Sequence, residues 1–70
     1  MRTTNIKKGE NLIKLAREIE KMDLQTAIQT AIQNIDDTKI QYDLQRKRTT
    51  QDVVWTVTQV GMALMGMKVL

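Results

Sequence analysis

Neither cysteine nor histidine occurs in this 70-residue chain, and serine is absent as well. Without cysteine no disulfide can staple the fold, and nothing reports on redox compartment. Without cysteine or histidine the side-chain metal ligands reduce to carboxylates, which excludes ordinary zinc and copper sites. The same absences remove the common nucleophile–base pairs of covalent catalysis. Thr, Lys, Asp, Glu and Tyr remain but fall into no catalytic motif, so the expectation is a non-enzymatic protein without a cofactor. Asp36-Asp37 comes nearest to a cation site. Adjacent residues on a helix point about 100° apart and chelate poorly, and no EF-hand loop surrounds the pair.

Proline and phenylalanine are also missing, and there are one Trp, one Tyr and three Gly. Gly9, Gly61 and Gly66 lie toward the ends, so nothing forces a chain break between Glu10 and Val60. Gly9 belongs to no phosphate-binding loop. Good helix formers dominate the first two thirds, and no alternating segment of useful length points to a strand. The fold class is therefore all-α. A chain this short supports a marginal core, and with disulfides and metals excluded the remaining reinforcement is oligomerisation or lipid.

The formal charge of +3, from 11 basic and 8 acidic residues, supports solubility and a weak pull toward anionic surfaces. Lys7-Lys8 and Arg46-Lys47-Arg48 are the basic clusters. Nucleic-acid binding is disfavoured: few aromatics are present for stacking, and Asp43 and Asp52 flank the second cluster. Arg46, Lys47 and Arg48 remain the candidate contacts to an anionic surface. Met1–Asn5 is not followed by the apolar run of a secretory signal, and residues 1–8 read as a flexible arm.

Beyond that arm, the phase of the apolar stripe divides the chain. Leu12, Leu15, Ala16, Ile19 and Met22 share one helical face, with Ile13 at its edge. Leu24, Ile28, Ala31, Ile32 and Ile35 share another, rotated by more than a quarter turn. One straight helix cannot aim both at the same partner. Asp23 stands at the change of phase and is a good N-cap. Beyond Asp36 the signal weakens: Tyr42 continues the second stripe, whereas Ile40 and Leu44 fall opposite, so either both faces are covered or the helix bends near Asp36-Asp37-Thr38. Asp36–Lys39, Asp43–Lys47 and Glu10–Lys14 place acid before base, each pair contributing a few tenths of a kcal/mol, roughly. The repeat Thr26-Ala27-Ile28-Gln29, Thr30-Ala31-Ile32-Gln33 reads as a solvated amphipathic helix. Arg46-Lys47-Arg48 suits a helix C-terminus, and Thr49 with Asp52 resembles a capping box. The expected helices are near 9–22, 24–47 and 51–69, in a hairpin or small bundle completed by oligomerisation.

Asp52–Leu70 carries apolar residues on every side of a helix, which calls for burial in protein or lipid. As a membrane span it is barely long enough, and Thr56, Thr58, Gln59 and Lys68 interrupt it. In this alternative Arg46-Lys47-Arg48 would lie on the cytoplasmic side, with Trp55 at headgroup level. Packing against other copies of the chain fits better. Val53, Val57, Val60, Leu64 and Met67 form a heptad-like seam, Gly61 and Ala63 let backbones approach, and methionines fill irregular gaps. The expected interface is that seam together with Ile28, Ile32 and Ile35. The expected partner is the chain itself, in a scaffold or coat-, needle- or filament-like assembly, with a single-span membrane protein as the alternative and a basic nucleic-acid regulator third.

Overall fold

The computed structural model describes the backbone of residues 2–66 and the side chains of residues 7–66. These residues form helices throughout: α1 (Arg2–Ile19), α2 (Leu24–Asn34), α3 (Thr38–Gln45) and α4 (Thr50–Leu64). The all-α class holds, with four helices rather than the two or three expected.

Each boundary has an identifiable cause. The Asp23 carboxylate accepts the Thr26 N–H at 3.0 Å and starts α2, so the change of phase is a true break. Hydrogen bonds from the Thr26 side chain and then its N–H hold the Asp23 carboxyl below the ordinary value of 3.8. The expected helix 24–47 is in fact two. Ile35 is extended, and Asp37 captures the N–H groups of Lys39 and Ile40 at 2.9 and 3.3 Å, nucleating α3 at a new angle. A short acidic side chain competes with the helix for backbone amides, and Asp37 does so here. The Gln41 side chain then donates to the carbonyls of Ile32 and Ile35, at 3.2 and 2.6 Å, closing the C-terminus of α2.

The Thr49 hydroxyl accepts the Asp52 N–H at 3.1 Å and opens α4. That helix ends at Leu64, short of the expected 69, because Gly66 takes φ +76, the left-handed turn that reverses a helix C-terminus. Residues 67–69 of the expected helix lie outside the described residues. Thr56 and Thr58 donate their hydroxyls to the carbonyls of Asp52 and Val54, so neither interrupts α4. At the other end of the chain, α1 runs through the residues read as an arm, beginning at Arg2 rather than near Gly9.

From Gly9 onward α1 lies antiparallel along α4. Gly9 meets Gly61 at one end, and the Thr50 hydroxyl donates to the Met22 carbonyl at 3.3 Å at the other. The helix pair is the principal contact of the fold, with α2 packed across it and α3 folded back on α2. Its core comprises Leu12, Ala16 and Ile19 from α1, Ala27 and Ala31 from α2, Ile35, Leu44 from α3, and Val53 and Val57 from α4. Alanines on α2 bring that helix close enough to cover two others. A Cβ placed on Gly9 would lie 2.5 Å from the Gly61 carbonyl oxygen and would collide with the Met65 side chain; one on Gly61 would lie 2.9 Å from the Gly9 carbonyl. Both glycines are therefore required for space, not for backbone freedom.

Candidate interaction surface

The residues read from sequence as an intermolecular seam divide into two sets. Val53 and Val57 are fully buried and Ile35 nearly so, all within the chain's own core. The expected seam thus falls partly inside the chain's own fold. Leu12, Ala16 and Ile19 of α1 share that core, and contact between Val53, Val57 or Ile35 and another copy would require the fold to open. Ile28, Ile32, Val60 and Leu64 are half-buried, packed on the core yet reachable from outside. Met67 lies outside the described residues.

Val60 and Leu64 come together with Ile35 in a groove of about 370 Å³ between the α1–α4 pair and the α2–α3 corner. Leu12 and Ile40 complete its apolar floor. Lys8 and Asn11 of α1 form one bank, and Asn34, Asp36 and Asp37 form the other. The banks carry opposite charge over an oily floor, an arrangement that orients a guest while burying its apolar part. The Asn34 amide N–H₂ donates to the Thr30 carbonyl at 2.8 Å, leaving its oxygen free to accept. Sequence periodicity pointed to Ile35, Val60 and Leu64. It placed Leu12 on a different stripe, left Ile40 facing the other way and read Asp36-Asp37 apart from any groove, because their meeting depends on the α2–α3 break.

Elsewhere two large apolar side chains are exposed, Tyr42 at 67% and Trp55 at 64%. Tyr42 stands exposed on α3, beyond the bend, so the stripe it was thought to continue ends there. Trp55 stands on the outer face of α4 with Met62, about two turns on, half-exposed on the same side.

The basic run Arg46-Lys47-Arg48 occupies the α3–α4 connection. The backbone N–H of Arg46 caps α3, and Lys47 pairs with Asp43 at 3.6 Å. With Asp43 engaged and Asp52 nearby in sequence, the run is not a bare cationic patch. Of the three acid–base spacings in the sequence, Asp43–Lys47 is the one that forms an ion pair among the described residues. Asp36 has left the helix, which removes the geometry its pairing with Lys39 needed. No helix among the described residues is long and apolar enough to cross a membrane. No protein-family model matches the chain, and no curated protein or solved structure is detectably similar to it.

Proposed function

We propose that this chain is a non-enzymatic helical building block that associates with copies of itself. One observation carries the reading. Trp55 stands 64% exposed on the outer face of α4 with half-exposed Met62 on the same side, and a groove floored in part by half-buried Ile40, Val60 and Leu64 opens on another side of the bundle. The folded chain thus leaves both an apolar projection and an apolar groove available to a second copy. The lack of His, Cys and Ser leaves the chain poorly equipped for catalysis, and a role through assembly suits its composition.

Sedimentation of the purified full chain across a wide concentration range, with and without mild detergent, tests this. The expected outcome is a particle mass that rises with concentration in plain buffer. A monomer at every concentration would discard the proposal, and a chain recovered only in detergent would favour a membrane role instead.

A further inference from the structure

Resting on the self-association reading, we infer that copies join head to tail, the Trp55 indole of one seated in the groove floored by Leu12, Ile40, Val60 and Leu64 of the next. Trp55 and Leu64 are nine residues apart on α4, about two and a half turns, so they project from opposite sides of that helix. The buried arc of Val53, Val57 and Gly61 faces α1, while Trp55 at 64% exposure faces away from it. A copy therefore cannot fill its own groove, yet it offers a second copy the one large apolar side chain that suits it.

Size and chemistry both match. Small-molecule pockets run from about 300 to 1,000 Å³, and at about 370 Å³ this groove is at the small end of that range, with room for an indole. An indole buries an apolar body but keeps an N–H that needs an acceptor, and the Asn34 oxygen and the Asp36 carboxylate line the bank. Asp52, one turn before Trp55 and exposed, brings a negative charge toward Lys8 on the opposite bank. Tyr42, although equally exposed, lies on the short helix α3, with exposed Lys39 and Asp43 close to it in sequence. Because knob and groove lie on different sides, the contact is heterologous and each copy added leaves one of each free, which propagates a chain or closes a ring.

The test uses the full chain and its single tryptophan. Trp55→Ala removes the knob and leaves the groove open; Asn11→Phe, at an exposed helical position on the bank, plugs the groove and keeps the knob. Both changes are on the surface, and circular dichroism should report unchanged helicity. Indole emission of the wild type should shift to the blue as concentration rises, and each variant alone should associate about tenfold more weakly or worse. Mixed in equal amounts, the variants should form a one-to-one dimer and nothing larger, with a blue shift of the Asn11→Phe indole on adding the tryptophan-free chain. Wild-type association by either variant alone, or a mixture with no blue shift, overturns the knob-and-groove contact while leaving self-association standing. A wild type that stays monomeric removes the underlying reading and this contact with it.

Discussion

Gly9 shows how much one missing methyl group decides. Replacing a mid-helix glycine by alanine ordinarily gains about 0.5–1 kcal/mol from helix propensity. Here the new Cβ would press on the Gly61 carbonyl oxygen at 2.5 Å. That atom belongs to the backbone of α4 and cannot rotate away, so the two helices must separate. Overpacking of this kind costs about 1–3 kcal/mol, and the net effect of Gly9→Ala should be destabilisation, lowering the thermal midpoint by several degrees. Gly61→Ala, with 2.9 Å to the Gly9 carbonyl, should act in the same direction but less. A midpoint raised in both variants would mean that α1 and α4 do not meet there. Asp23 makes a pH-dependent contribution of known sign. Its folded-state carboxyl lies below 3.8 because the Thr26 side chain and N–H favour the charged form. The stabilisation is therefore present above the unfolded value and lost as pH falls through the folded one. Asp23→Asn keeps a capping oxygen that does not titrate. The wild type should lose its advantage over that variant between neutral pH and conditions well below 3.8, as read by thermal midpoints at the two extremes.

Among the elements, the α2–α3 corner carries a side chain that reaches back across it, which makes it testable. Gln41 closes α2 by donating to Ile32 and Ile35, and without it two partly buried carbonyls lose their partner. Gln41→Ala should cost about 1–2 kcal/mol, whereas Gln45→Ala on the exposed side of the same helix should stay within about 0.5 kcal/mol; urea denaturation of the two separates them. This corner also marks where the sequence ceased to be legible. The Asp23 and Thr49 caps could be read because a capping side chain lies within three residues of the amide it serves. The phase change at Met22–Asp23 could be read because the apolar stripe on each side is strong. At Asp36-Asp37 the apolar residues are too sparse to choose between a bend and a helix covered on both faces, and the choice is made by Gln41 reaching back to Ile32. The antiparallel pairing of α1 with α4 was hidden for a related reason. Gly9 and Gly61 are far apart in sequence, and an isolated glycine has no period by which to find its partner.

For the whole molecule, the radius of gyration of 11.4 Å is close to the roughly 11 Å of a compact chain of this length, so α4 is folded into the bundle and does not project from it. Stability for 70 residues should then be about 3.5–10 kcal/mol, little enough for one misplaced charge to exhaust. Val57 and Leu64 sit one heptad apart on what reads in sequence as a single seam, but they face different fates. Val57 is fully buried between α4 and α1, and Val57→Asp strands a carboxylate there at a cost of several kcal/mol; loss of helical circular dichroism is the expected outcome. Leu64 is half-buried on the groove floor, where a carboxylate can still reach water. Leu64→Asp should therefore retain most of its helicity, while its particle mass at high concentration falls to that of a monomer. If Leu64→Asp unfolds as completely as Val57→Asp, the groove floor belongs to the core and its apolar side chains are already committed within one chain. If it folds and still assembles fully, the subunit contact lies elsewhere on the surface. Only a folded monomer places Leu64 where an apolar residue serves the next copy more than its own.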